Sequence, residues 1–329
     1  MSYTVTLKNS GNSFTLEGHE TILRAGLRAG INLGHQCMNG SCGGCAAKLL
    51  EGQIIESRIP DFKLPQNTSD HQFLSCCYRA ESDLLLDMPE LDEARQIPLQ
   101  QLTTKVTRLQ KLKNNIYELT LKTPRSQLLE FLAGQRALIQ LPGLPQFALG
   151  IASCPCDGMN LRFHIDQRLL PSFDIALKKG QRIQLTAPVG QLTLHEQSHN
   201  ALLFIAYETG FAQIQSLIDH VISQDEDRQI QLLCLTSSTD GFYRENACRA
   251  WRDVLDHFSY EVIYLPDNHF DNFTAFLKRM ARRKKTYQHV DIYAVMPPSK
   301  VRLLKTFCQK NQHPQGQLHT DTLRANPVS

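Results

Sequence analysis

The sequence predicts a multi-domain chain, α+β followed by α/β, in three parts: a small cysteine-bearing unit, a six-stranded antiparallel barrel and a doubly wound parallel sheet. Three observations lead there. Three cysteines and three glycines fall within nine positions, Cys37 to Cys45. Short alternating segments broken by turn signals fill the middle of the chain. From about residue 199 apolar strands alternate with stretches of helical period, as in a parallel sheet with crossover helices.

In the first part, "SYTVTLKNSGNSFTLEG" reads as two alternating strands about a turn at Gly11-Asn12, and "ETILRAGLRAGI" has apolar residues at helical spacing. "HQCMNGSCGGCAAKL" follows, and "AAKLLEGQI" returns as a strand. The cysteines run Cys37-x4-Cys42-x2-Cys45, with a late pair, Cys76-Cys77. This is the plant-type spacing for a [2Fe-2S] cluster, in which four thiolates converge on two irons. Gly40, Gly43 and Gly44 suit the wrap, since side chains there would obstruct the backbone dihedrals or the approach of N–H groups to sulfide. A structural zinc site is the alternative, although zinc knuckles usually bring two close pairs of cysteines.

The second part holds "TTKVTRLQKL", "NIYELTLKTP", "RALIQLPG", "ALGIAS", "LRFHIDQ" and "QRIQLTAPVG", six strands with one short helix, "PSFDIALKKG". The third alternates strands "ALLFIAY", "QIQLLCL", "YEVIYL" and "VDIYAV" with helices "GFAQIQSLIDHVISQ", "RENACRAWRDVLDHF", "NFTAFLKRMARRKK" and "PSKVRLLKTFCQK". The predicted domains are 1–92, 99–196 and 199–329.

Composition narrows the function. With 42% hydrophobic and 20% charged residues the chain reads as globular, and a net charge of +3 is too mild to imply nucleic acid or an anionic membrane. No apolar run suggests a membrane span, and "MSYTVTLKNSGNSF" lacks the pattern of a signal peptide. A cytoplasmic location is expected, where clustered thiols bind metal more often than they bridge.

The order of parts, with "AGQR", "LGIAS", "LRFHI", "KKGQRIQLTAPVGQLTL", "LLFIAYETGFAQIQSLI" and "VDIYAV", resembles the ferredoxin–NAD(P)H reductase superfamily with an N-terminal fused β-grasp ferredoxin. Dioxygenase reductase components and CDP-6-deoxy-glucoseen reductases share this layout. The resemblance implies FAD in the barrel, NAD(P)H on the parallel sheet, and a [2Fe-2S] cluster that passes single electrons to an oxygenase or dehydratase partner. It also implies that Cys76, six residues before the Ser82-Asp83 pair, is the fourth ligand beside Cys37, Cys42 and Cys45, with Cys77 a neighbour. Thr209 and Gly210 would line the nucleotide turn, and Gly190 would sit near the barrel–sheet seam.

Several positions depart from the family pattern. Its flavin motif, Arg-x-Tyr-Ser, aligns with Phe147, Ala148, Leu149 and Gly150, which lack the cation, the aromatic ring and the hydroxyl. Its second flavin motif aligns with Pro171, Ser172, Phe173 and Asp174, where a proline removes an N–H and an acid stands where a phosphate should sit. The nucleotide loop reads Tyr207-Glu208-Thr209-Gly210-Phe211-Ala212-Gln213, with a carboxylate beside the expected pyrophosphate. The later Cys-Gly-x-Pro aligns with Val295-Met296-Pro297-Pro298. Two functions therefore stand side by side: an NAD(P)H-dependent reductase component, or a non-enzymatic [2Fe-2S] relay, sensor or docking subunit fed by an external reductase. A third has the barrel take a different ligand.

Other features read more plainly. Cys154-Pro155-Cys156 is an incomplete metal site and reads as two reduced thiols. "KRMARRKK" (278–285) carries six positive charges and reads as a solvated helix end, or as a patch for an acidic partner. Cys234, Cys248, Cys308 and Trp251 are expected to be packing residues.

Overall fold

A computed structural model describes residues 2–328 except 32, 36–37, 39, 41–42, 61–63, 65–70, 91–96, 142, 171–172, 174–176, 196, 226, 266–272, 279–288, 315–316 and 324–326. Cys37, Cys42, Pro171, Ser172, Asp174 and the basic run beyond Lys278 lie outside the described residues.

The first part is built from β1 (Tyr3–Leu7), β2 (Ser13–Leu16), α1 (Ile22–Arg28), β3 (Ala46–Glu51), β4 (Ile54–Glu56), β5 (Gln72–Leu74), β6 (Tyr78–Ala80) and β7 (Leu84–Asp87). Five strands form one sheet in the order β2-β1-β7-β3-β5, with β1 and β7 parallel, while β4 and β6 pair separately. Thr21 caps α1 by accepting from the Arg24 N–H, and Ile22, Leu23, Ala25 and Leu27 turn into the core. Gly30 ends the helix with φ +81°, a left-handed conformation that a side chain would resist. This is the predicted β-grasp arrangement.

The second part contains β8 (Gln100–Lys111), β9 (Ile116–Lys122), β10 (Arg136–Gln140), β11 (Gln146–Gly150), β12 (Asn160–Asp166) and β13 (Arg182–Val189). They run in the order β12-β9-β8-β13-β10-β11, all antiparallel. A bridge between Ile151 and Phe163 joins the two ends, leaving a nearly closed six-stranded barrel around Leu119, Leu121, Ile139, Phe147, Phe163 and Phe173.

The third part contains β14 (Ala201–Tyr207), α2 (Phe211–Ser223), β15 (Ile230–Thr236), α3 (Glu245–Val254), β16 (Phe258–Tyr264), β17 (Val290–Met296), α4 (Pro298–Lys310) and β18 (Leu318–Thr322). Its sheet is entirely parallel in the order β16-β15-β14-β17-β18. In β14 every residue after Ala201 is buried, as expected of a strand covered on both faces. The strand order reverses between β14 and β17, so a crevice forms at their carboxyl ends, at Tyr207-Glu208 and Met296. A last strand, β19 (Pro327–Val328), pairs antiparallel with β11 at the barrel edge.

The parts share cores. Leu138, Ala148 and Val189 of the barrel belong to the hydrophobic cluster of the first part. Leu192 and Leu194 join the cluster under α2. Cys234, Cys248 and Cys308 are buried as expected, with Trp251 packed against Phe211 and Phe258. One expectation is corrected: Cys154 and Cys156 are joined as a disulfide rather than standing as separate thiols, their Cα atoms 5.2 Å apart and within bridging range. No helix among the described residues is long and apolar enough to cross a membrane.

Candidate functional site

Cys45 leaves the glycine loop just before β3, and Cys76 sits in the tight turn between β5 and β6. Ser75 holds the two together. Its N–H and hydroxyl both donate to the Cys45 carbonyl, at 3.1 and 3.0 Å, while its own carbonyl accepts the Leu23 N–H of α1. Cys45 and Cys76 are therefore buried side by side. Cys77, fully buried, has its sulfur 3.6 Å from that of Cys76 and lies beneath Gly40. Gly40 has φ +79°, and a Cβ there would come 2.6 Å from Cys77 Sγ and 3.1 Å from Pro60 Cα.

Hydrogen bonds from Cys45 and Cys77, then burial, push the Cys76 thiol far above its ordinary range. Thiols crowded this way stay protonated unless a cation compensates them, which is what bound iron provides. The sulfur-only donors and the glycine cradle fit a [2Fe-2S] cluster. Zinc would find the same sulfurs, but the left-handed Gly40 against Cys77 brings bare backbone close to them, as an inorganic core needs.

The loop is also tied to the barrel. His35, buried two residues before Cys37, donates from Nδ1 to the Leu33 carbonyl at 2.7 Å, and its Nε2 accepts the Gly190 N–H at 3.0 Å. Gly190, expected at the barrel–sheet seam, thus lies against the cluster loop at the seam between barrel and first part. It has φ +87°, and its carbonyl accepts from Gln135.

At the barrel–sheet seam the flavin-aligned positions are occupied by the chain itself. Phe147 faces the barrel core, and Phe173 is fully buried edge-on to Tyr117. At Gly150, aligned with the flavin-contacting serine, an added Cβ would lie 2.5 Å from Gln213 Cγ. Gln213 Nε2 donates to the Gly134 carbonyl at 2.6 Å and to Asp321 Oδ2 at 2.9 Å. Asp321 in turn pairs with Arg136 at 3.1 Å, and both side chains are almost wholly buried. The cavity left between Arg136, Gly150 and Gln213 measures about 30 Å³. That admits a water or two, whereas ligand pockets run from roughly 300 to 1,000 Å³. These side chains fill the described flavin-aligned positions of the seam as it stands.

The nucleotide turn is filled in the same way. Glu208 follows β14 with φ +44° and is buried. Its Oε1 accepts from the Ser237 N–H at 2.7 Å, the Ser237 hydroxyl at 2.8 Å and the Thr236 hydroxyl at 3.2 Å. A carboxylate thus takes donors at the crevice mouth that an anionic ligand would otherwise compete for. Thr209 is buried and borders the small cavity. Gly210 packs on β17, where a Cβ would meet the Val295 carbonyl at 2.6 Å. Met296 is fully buried. Buried side chains thus occupy the nucleotide turn as well.

Below the seam lies a polar network that the sequence reading did not find. His164 is fully buried, with Nδ1 2.8 Å from the Tyr243 hydroxyl and Nε2 3.6 Å from Glu118. Burial pushes the imidazole down to about 4, so it is neutral near pH 7. The neighbouring His164 imidazole, helped by Arg244, holds Glu118 down at about 2. Only a lone histidine within "LRFHID" signalled this network, and its partners are distant in sequence.

With this geometry in view, the class follows. Residues 5–81 match the 2Fe-2S iron-sulfur cluster binding domain, so the chain carries a ferredoxin-type domain of that family. Beyond it, the chain is homologous to reductase components of multi-protein systems. It is 28% identical over 251 residues to the CDP-6-deoxy-L-threo-D-glycero-4-hexulose-3-dehydrase reductase of Yersinia pestis, covering 75% of each. It is 28% identical over 263 residues to reductase component 1 of terephthalate 1,2-dioxygenase from Comamonas sp, covering 79% of this chain and 78% of that one. Its fold matches the Amycolatopsis cytochrome P450 reductase GcoB with a TM-score of 0.83 at 18% identity, over 99% of this chain and 100% of that one.

Proposed function

We propose that the chain is an iron–sulphur electron-transfer protein of the oxygenase-reductase kind. It is divided into a [2Fe-2S] domain (1–92), a flavin-type barrel (99–196) and a nucleotide-type sheet (199–329). Cys37, Cys42, Cys45 and Cys76 would hold the cluster, with Cys77 packed behind it. Once bound, the cluster supplies a one-electron couple. The chain buries the sulfurs of Cys45 and Cys76, shapes the loop through Gly40 and braces it through His35. The recipient is a redox partner protein, an oxygenase or dehydratase component, in the cytoplasm. The meeting of Cys45 with Cys76 around Ser75 carries this reading.

In the default form of the proposal the electrons come from NAD(P)H through FAD, with Thr209 and Gly210 at the nucleotide turn, as the superfamily resemblance implies. The Gln213–Asp321–Arg136 plug and the buried Glu208 favour the second form, in which another reductase supplies the electrons and the two later parts are a docking scaffold. Iron, sulfide and released-flavin assays on one anaerobic preparation, with NAD(P)H-dependent dye reduction, separate the two. About two irons and two sulfides per chain are expected in both. Stoichiometric FAD with dye reduction would establish the default form. Iron without flavin after incubation with excess FAD would establish the second, and an iron-free protein containing zinc would overturn both.

A further inference from the structure

The Cys154–Cys156 disulfide borders a cavity of about 430 Å³ lined also by residues of β12, α2 and α3, within the size range of ligand sites. It is a poor structural staple. A bridge across a sequence separation of 2 closes almost no loop, so it removes little entropy from the unfolded chain. The two sulfurs are unequal. Cys154 is buried and accepts the Cys156 N–H at 3.3 Å, with Ser223 Oγ 3.9 Å away, while Cys156 is exposed. The same cavity is lined by Asp219 of α2, Trp251 and the exposed Val254 of α3.

Asp219 is suited to proton transfer. Arg162 of β12 lies 3.5 Å from its Oδ2, and Gln215 and Trp251 hydrogen-bond to it. Arg244 near the start of α3 attracts it from further off, and Asp157 lines the same cavity. Burial outweighs these attractions and pushes the carboxyl up to about 6. It thus faces the same cavity as the two sulfurs and can hold or release a proton close to neutral pH.

We propose that Cys154 and Cys156 are a two-electron dithiol/disulfide couple, reduced by a protein or peptide dithiol at this cavity, with Asp219 handling the proton of Cys154. A partner thiolate attacks the exposed Cys156 sulfur. The Cys154–Cys156 bond breaks, a partner–Cys156 disulfide forms, and Cys154 leaves as a thiolate that takes the Asp219 proton. The partner's second thiol gives its proton to Asp219 and attacks the partner sulfur of the mixed disulfide. Cys156 leaves as a thiolate and is protonated by water. The partner dithiol ends as a disulfide and the pair as two thiols, with two electrons and two protons moved.

The test uses the full-length, iron-loaded protein equilibrated with graded ratios of reduced to oxidised dithiothreitol, trapped by alkylation and read by peptide mass spectrometry. The expected result is a reversible two-electron titration of the peptide containing Cys154 and Cys156. A pair that stays fully reduced or fully oxidised at every ratio overturns the proposal, with no variant needed. For the proton step, re-oxidation by oxidised dithiothreitol is followed against pH in wild type and Asp219→Asn. Wild type should show an inflection near the Asp219 value that the variant lacks, with a loss of about tenfold or more above it. Identical profiles in a variant that keeps its cluster absorption would remove Asp219 from the role.

Discussion

Replacing Arg136 by methionine tests whether the barrel–sheet seam is closed. Arg136 and Asp321 have side chains 4% and 0% exposed and approach to 3.1 Å. Arg136→Met keeps most of the side-chain volume but removes the cation from a buried carboxylate that also accepts from the Gln213 amide and the Thr322 N–H. Breaking a buried pair from one side costs about 3–5 kcal/mol. In a unit of this size that lowers the melting temperature by about 6–20 °C. The assay is thermal and urea unfolding of wild type, Arg136→Met, Asp321→Leu and the double variant. Each single change should cost several kcal/mol. The double variant should recover most of the loss, because an apolar pair of similar volume removes the uncompensated charge. A cost below about 1 kcal/mol for Arg136→Met would mean that water reaches Asp321, and the argument for a plugged flavin site would fail.

Three further outcomes are expected. Cys76→Ser should abolish iron binding, whereas Cys77→Ser should retain about two irons per chain by elemental analysis; the reverse pattern would exchange their roles. Gly40→Ala places a methyl group against Cys77 at φ +79° and should cost about 1–2 kcal/mol from the backbone alone, with lower cluster occupancy in the visible spectrum. Between pH 4 and 6 two buried groups oppose one another. Asp219, raised to about 6, keeps a proton that the unfolded chain has lost, so it makes stability fall as pH rises. His164, lowered to about 4, leaves the unfolded chain with more protons, so it makes stability rise with pH up to the unfolded value near 6.5. Wild-type stability should be nearly flat there, while Asp219→Asn should gain stability with pH by up to about 3 kcal/mol in urea titrations. A flat profile in the variant would refute the assignment.

The parts of the molecule legible in the sequence are those fixed by local rules. Cysteine spacing marks the iron loop, and alternation at periods 2 and 3.6 locates the barrel strands and the crossover helices. Strands as short as β4, β5 and β6 leave too few residues for a period and were not read. The seam was harder because its chemistry is non-local. Gln213 and Asp321 are 108 residues apart, and Arg136 stands a further 77 residues before Gln213. The family motif shows what is missing at the flavin-aligned positions, but not that Gln213 fills the gap. The tie of Gly190 to the cysteine loop is hidden for the same reason: its partner His35 is 155 residues away. The Cys154–Cys156 bond is local in sequence, yet no pattern of neighbours distinguished it from a pair of free thiols.

The apolar residues shared between the iron-binding unit and the barrel have a consequence for how the protein fails. Leu138, Ala148 and Val189 pack in the same cluster as Leu33 and Cys76. Heat that loosens the barrel must therefore loosen the cysteine loop, and a chain that has lost its iron gives up part of the barrel's support. Bleaching of the cluster's visible colour and melting of the barrel should follow one curve, so that the colour of a preparation reports the integrity of a part of the molecule outside the cysteine loop.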